Sequence, residues 1–422
     1  MNNLKNKILF TIFILLIYRF GTFIPIPGIN SEVVSNFFSG DGGDVFGMIN
    51  LFSGGALERM SIFSLNNMPY ITASIIMQLM SSMSKSLAAL KKEGEYGQSK
   101  INQYTRYLTI LLALFQSLGI YYALANSSES IFISDSQIFL YTTVVSLVGG
   151  VVMLMWFGER ITANGIGNGI SLIIFVGIVS SIPATFTQFI DLAESGVHSP
   201  MFIIFFFLSF VLFVYFVVYI EKSYKKIKIH YPSSAMMRIS GMNDSSFLPL
   251  KLNITGVIPP IFASSILMFP SVMTQFGDGS SDGFLSLFRR GSAPYLILFA
   301  SLILFFSFFY SSIIFNTKDV AQNLKKSNCF IFGIRPGDKT SQYLDKIIAR
   351  LTLGGGIYLI LVCLIPEILT TEFSVPLHVG GTGILIIVNV ILDLIAQVQS
   401  HLNPAAQGGG GSTKRRRVRV RN

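Results

Sequence analysis

Residues 67–77 read Asn67-Met68-Pro69-Tyr70-Ile71-Thr72-Ala73-Ser74-Ile75-Ile76-Met77, and residues 259–268 read Pro259-Pro260-Ile261-Phe262-Ala263-Ser264-Ser265-Ile266-Leu267-Met268. Setting Pro69 on Pro260 aligns Ser74 with Ser265, Ile75 with Ile266 and Met77 with Met268. Each stretch belongs to the second apolar run of a five-run half, and the loop charges make the two runs cross in opposite senses. That is the pattern of an inverted repeat, whose interrupted helices border a transport site. Coincidence between two apolar, proline-containing helices is the competing reading. Proline interruption with small hydroxylated residues suits helices that pack closely yet can separate.

Outward from this pair, apolar runs fall near residues 8–24, 64–84, 105–126, 137–157 and 166–186, then 200–220, 253–273, 294–314, 351–369 and 377–396. Roughly 20 apolar residues cross a hydrocarbon layer of ~30 Å as a helix. Backbone polar groups in lipid must satisfy one another, so each run is predicted helical. The 422 residues are 51% hydrophobic and 12% charged, with mean hydropathy +0.61. Soluble domains carry about a quarter charged residues, so a water-exposed globule is excluded. The predicted fold class is an all-α membrane protein of about ten transmembrane helices in two inverted five-helix halves. These are residues 1–186 and 200–401, joined by an external hinge loop at 187–199.

Basic residues alternate with acidic ones from loop to loop. Lys5, Lys7, Lys85, Lys91, Arg160, Lys225, Lys226, Arg238 and Arg335 fall on one side; Glu32, Asp44, Glu129, Asp191 and Glu372 fall on the other. Arg289 and Arg290 are the exceptions. The alternation places both termini in the cytoplasm and fits an inner-membrane, multi-pass chain. Residues 1–24 read as a retained first span, because no small-residue cleavage site follows. The cytoplasmic loops 221–252 and 316–350 are long as well as basic. Retention of positive charge explains their sign; a docking surface for an anionic partner would explain their length. The tail 402–422 holds Gly408-Gly409-Gly410-Gly411-Ser412, a flexible-linker sequence, then six Lys or Arg, without which the net charge of +10 falls to +4. It is either an added segment or a natural arm binding RNA or lipid.

No phosphate-binding loop, zinc-ligand helix or nucleophile elbow occurs, so no metal, cofactor or catalytic residue is predicted. Gly165-Ile166-Gly167-Asn168-Gly169 follows no strand and reads as a tight turn with close helix packing. Cys329 and Cys363 read as inert or free thiols. A charge at mid-membrane costs about 2.5–3.5 kcal/mol or more, and the span interiors are nearly clean; Arg19 and Asp393 lie near span ends, where snorkelling suffices. An ion-coupled transporter would need more buried charge, and a pore gated by apolar side chains needs none. Met48-Ile49-Asn50-Leu51-Phe52-Ser53-Gly54-Gly55-Ala56-Leu57 is apolar, glycine-broken and too short to span. A re-entrant segment buried in protein and a helix at the headgroups both fit it.

Several motifs, in order from about residue 4 to 401, resemble the bacterial SecY family. They include Phe23-Ile24-Pro25-Ile26-Pro27-Gly28-Ile29, Phe52-Ser53-Gly54-Gly55-Ala56-Leu57, Met68-Pro69-Tyr70-Ile71, Lys91-Lys92-Glu93-Gly94-Glu95 and Gln103-Tyr104-Thr105-Arg106-Tyr107. Gly165-Ile166-Gly167-Asn168-Gly169-Ile170-Ser171, Ile334-Arg335-Pro336-Gly337, Gly380-Gly381-Thr382 and Ala396-Gln397-Val398-Gln399 continue the match. The resemblance implies an hourglass channel around a central pore. Its apolar ring would be Ile71, Ile75, Ile170, Ile174, Ile261 and Ile386. Its plug would be about 48–66, with Phe52, Ser53, Gly54, Gly55, Ala56 and Leu57 at its head. A lateral gate would involve Ser74, Ile76, Gln116, Ser265 and Phe269. Lys225, Lys226, Arg238 and Arg335 would dock the ribosome, through its rRNA, or the SecA ATPase. SecE and SecG would be partner subunits, and the cargo an unfolded precursor or nascent polypeptide, with apolar segments released sideways into membrane lipid.

The physics suits that role. Peptide groups left unsatisfied in lipid cost several kcal/mol each, and a water-filled path removes most of that cost. A side opening lets sufficiently apolar segments partition out as helices. A solute carrier would share the inverted repeat, and small-solute flux would reveal it. An intramembrane enzyme would need paired Asp, a Ser–Lys pair or His-rich motifs inside spans, and none is found.

Overall fold

The computed structural model describes residues 2–29, 53–127, 136–194, 200–230, 245–276, 292–373 and 380–402. The expected plug residue Phe52, the docking candidate Arg238 and the tail from residue 403 lie outside the described residues. The first half contains α1 (Asn2–Gly21), α2 (Met68–Met83), α3 (Lys85–Lys92), α4 (Glu95–Ser127), α5 (Ser136–Asn164) and α6 (Gly169–Glu194). The second contains α7 (Pro200–Glu221), β1 (Tyr224–His230), β2 (Ser245–Lys251), α8 (Ile258–Phe276), α9 (Ala293–Ile314), α10 (Thr317–Lys326), β3 (Phe330–Ile331), α11 (Asp338–Phe373) and α12 (Gly381–Leu402). Leaving out the short α3 and α10, ten helices stand where ten spans are expected. Six stretches among the described residues can cross a membrane on length and composition alone.

The aligned prolines do not interrupt their helices. Pro69 is the second residue of α2, and Pro259 and Pro260 are the second and third of α8. In the first turn the missing N–H has no intrahelical partner to lose, so proline starts these helices. One aligned pair differs in environment: Ile75 is buried, whereas Ile266 is exposed.

Outside the spans the all-helical expectation gives way to a three-stranded sheet ordered β2-β1-β3. β1 pairs antiparallel with β2 from Tyr224 opposite Lys251 to His230 opposite Ser245, and Ile229 lies opposite Ile331 on β3. Along β1, Ile227 and Ile229 are buried while Lys226 and Lys228 are exposed, the alternation a half-covered strand requires. Ile227, Leu250, Ile331 and Leu344 form a small core of their own. The described parts of the two long polar loops are thus packed together as one folded body.

Within the membrane bundle, one apolar cluster links α1, α5, α6, α7, α8, α9, α11 and α12. A second joins Ile26, Leu57, Met60 and Leu65 to α4 and α5. Excluding the directly connected α6 and α7, the backbones of the halves come closest between α6 and α12; α2 meets α8 and α9 more loosely.

Candidate functional site

Five of the six isoleucines expected to form the ring belong to one extended apolar cluster. Ile71 from α2, Ile170 and Ile174 from α6, Ile261 from α8 and Ile386 from α12 pack in the same central cluster. Ile75 lies beside them, buried with Phe262 and Phe306, and Ile71 touches this group as well. Apolar side chains from four helices can exclude water from a narrow passage, since dewetting needs no charge.

The described part of the expected plug is buried within protein. Ser53, Ala56, Leu57, Met60, Ser61 and Ser64 show no exposure. The segment is a series of turns that satisfies its own polar groups. Ser61 donates its amide to Ala56 O at 2.9 Å, and Ser64 Oγ donates to the same oxygen at 2.9 Å. Non-helical backbone at membrane depth requires such satisfaction. Gly54, at φ +65°, sits so close to α6 that a Cβ would lie 2.3 Å from Ser180 Oγ and 2.6 Å from Gly177 O. Arg19 does more than snorkel: its Nη1 donates to Gly54 O at 3.2 Å, while its guanidinium lies 4.8 Å over the Phe23 ring.

Between α2 on one side and α8 and α9 on the other, Ile71, Ile75 and Leu79 face Ile258, Phe262, Leu302 and Phe306. The Phe262 and Phe306 rings stack 4.8 Å apart. Toward one end the seam opens into a cavity of about 290 Å³ lined by Ser74, Gln78, Gln98, Asn102, Thr105 and Tyr310 among others. Ser74 therefore faces the seam. Ser265 donates instead to Ile261 O of its own helix at 2.8 Å. Ile76 and Gln116 are half-buried, and α4 lines the cavity through Gln98, Asn102 and Thr105. Phe269 lies within α8, and its side chain is outside the described residues.

Lys225 and Lys226 are exposed on β1, and Arg335 is exposed between Gly333 at φ +77° and Gly337 at φ +105°. Thr340 Oγ1 donates to Arg335 O at 2.9 Å, which fixes that turn against α11. Pairing of β1 with β3 brings these charges onto one body. Nearer the membrane on α4, Lys100 has its pKa raised by the hydrogen bond to Tyr96, whose ring lies 4.6 Å beneath the ammonium.

One residue of consequence, Glu221, sits where the sequence suggests a solvated loop. It is 5% exposed at the end of α7. Asn253 Nδ2 donates to its Oε1 at 2.9 Å, and Tyr358 Oη donates at 3.4 Å. Asn253 also donates to Gly256 O at 3.2 Å and accepts from Thr255 Oγ1. The root of the β1–β2 hairpin is thereby tied to α7 and α11. The signal available in the sequence was an acid closing an apolar run just before a basic loop.

Among the described residues, ten helices in two five-helix sets around a shared apolar core define a multi-pass membrane protein. The profile described as SecY matches residues 61–395. Proteins called Protein translocase subunit SecY from Rickettsia bellii and Escherichia coli are each 46% identical, over 407 and 408 residues. Each alignment covers 95% of this chain, and 94% and 92% of those proteins respectively. A solved structure described as a protein conducting channel superposes with TM-score 0.69 at 18% identity, covering 96% of this chain and 95% of that one. Sec61 in a canine ribosome–channel complex superposes at TM-score 0.65 and 17% identity, covering 96% and 95%; at such identities the likeness speaks for the fold. The chain belongs to the SecY family: it is the central channel subunit of a translocon and not an enzyme.

Proposed function

We propose that unfolded chains pass through the isoleucine cluster while apolar segments leave sideways between α2 and α8–α9. The observation that carries this reading is the asymmetry of the two seams. The halves are held backbone-close at α6–α12 and meet loosely, through side chains, at α2 with α8 and α9. Motion about the first opens the second. Ile71, Ile75, Ile170, Ile174, Ile261 and Ile386 form the seal, and residues 48–66 the plug. Lys225, Lys226, Arg238 and Arg335 dock a ribosome or the SecA ATPase, with SecE and SecG as companion subunits. Both termini lie in the cytoplasm, and the membrane is the inner one; the loop charges support this orientation.

The test replaces Cys329 and Cys363, then places single cysteines at Ile76 and Phe269. A short cross-linker should block both secretion and membrane insertion, and a long flexible one should restore much of each. Release of apolar segments into lipid by the tightly tethered chain would refute the exit.

A further inference from the structure

Along α1, Leu9, Phe13, Leu16 and Phe20 are exposed at intervals of three or four residues, and exposed Phe23 follows just beyond the helix end. At 1.5 Å per residue this stripe covers about 16 Å from Leu9 to Phe20, roughly half the hydrocarbon thickness and so the depth of one leaflet's acyl chains. Its far end carries charge. The guanidinium carbon of Arg19 stands 4.8 Å from the centroid of the Phe23 ring, and that of Arg59 stands 4.6 Å from it. Neither arginine forms an ion pair with a described carboxylate; the one such pair among the described residues joins Arg106 to Glu159. Arg19 engages Thr22 Oγ1 and Gly54 O through Nη1 alone, and Arg59 is exposed with no hydrogen bond to a described residue. A guanidinium laid over a ring keeps its planar fork of N–H donors for an anion.

We propose that Arg19, Phe23 and Arg59 form a binding site for an anionic phospholipid of the outer leaflet. The lipid phosphate takes the two guanidinium forks, and its acyl chain runs along the α1 stripe. Charge complementarity selects this occupant: two cations gathered on one ring repel each other, and a phosphodiester shared by both relieves that repulsion. A headgroup with an ammonium would bring a third positive charge to the cluster, so a headgroup without one is preferred. A soluble anion would meet the charges but leave the stripe unused. Placement in the outer leaflet rests on the orientation proposed above. Because Arg19 also holds Gly54 O, an occupied site ties the lipid to the segment proposed as the plug. A basic side chain beside an anionic lipid surface raises binding about fivefold; stacking on a ring adds about two- to fivefold.

The experiment uses the assembled complex in phosphatidylcholine membranes doped with phosphatidylglycerol that carries a photoreactive acyl chain. Label on α1 is read by peptide mapping against label on α9, whose Ile297 and Phe305 are exposed outside this cluster. Arg59→Gln should lower the α1-to-α9 ratio about fivefold, and Phe23→Leu, which keeps the apolar stripe, about two- to fivefold. Arg59→Lys should fall between Arg59→Gln and the parent, since it keeps the charge and loses the fork. An unmoved ratio in Arg59→Gln would overturn the site, even if both helices lost label alike. Equal labelling of α1 by a phosphatidylcholine probe would reduce the stripe to plain lipid contact and overturn it too. Displacement of the label by inorganic phosphate would assign the arginines to the free ion and refute the lipid. Orientation is read separately, by an impermeant maleimide on Pro27→Cys, an exposed position, in the chain without Cys329 and Cys363. A cysteine reached only from the cytoplasm would overturn both that orientation and the leaflet. With the cysteine reached from outside and the ratio unmoved, the orientation stands and the site falls.

Discussion

The amide of Gly167 donates to Gln397 Oε1 at 2.8 Å, joining the turn before α6 to the last helix of the opposite half. Gly167 holds φ +86°, and a Cβ there would come within 3.0 Å of both Leu172 Cδ1 and Leu394 Cδ2. Two separated sequence motifs thus meet at the tight seam, and glycine serves both the turn and the contact. Gly167→Ala should cost about 1–2 kcal/mol from its left-handed backbone alone. Gln397→Met should loosen the seam where Gln397→Glu, which keeps an acceptor, should not. Cross-linking yield between cysteines on α6 and α12 checks both; equal yields in Gln397→Met and the parent chain would contradict the role given to this bond.

The isoleucine cluster yields a second expectation. Changing Ile71, Ile174 and Ile386 together to Asn introduces amides that hold water in the constriction. Planar-bilayer recordings should then show resting ion conductance where the parent channel is silent. A silent triple variant, present at normal level, would mean that these side chains line no passage.

For docking, Arg335→Glu reverses one exposed charge in a turn whose shape is fixed by Gly333, Gly337 and the Thr340 bond. Membrane level and thermal stability should stay within about 0.5 kcal/mol of the parent, as for surface changes generally. Translocation should fall at least tenfold. Unchanged secretion would remove Arg335 from the docking surface.

Asn253→Ala leaves the Glu221 carboxylate without the donor at 2.9 Å. Hydrogen bonds to charged groups contribute about 1.5–3 kcal/mol, so the midpoint of thermal unfolding in detergent should drop clearly. Asn253→Asp, which sets a second carboxylate against Glu221, should lower it further. The reverse order would show that the side chain's shape matters more than its donor.

The spans were legible because lipid imposes long apolar runs that need no knowledge of neighbours. By composition Ile75 and Ile266 are indistinguishable, yet only Ile75 of the two is buried. Pairing of Ile229 with Ile331 was not legible, because β3 is two residues long and its partner lies about a hundred residues earlier. Glu221 read as a loop residue because its hydrogen-bond donors, Asn253 and Tyr358, come from other elements. Arg19 and Arg59 carried no joint signal for the same reason: each is an ordinary charge in its own segment, and only the fold sets both on the Phe23 ring.

The contact of Gly54 with Gly177 and Ser180 has a consequence for how this sequence can change. A methyl group added at Gly54 collides with the Ser180 hydroxyl and with the backbone of Gly177, and neighbours in contact do not tolerate change independently. Trimming Ser180 does not relieve this, because the Gly177 carbonyl still stands 2.6 Å from the added carbon and the backbone stays at φ +65°. Drift should therefore leave position 54 fixed while Ser180 varies, and libraries that vary Gly54 and Ser180 together should return glycine at position 54 in their functional members.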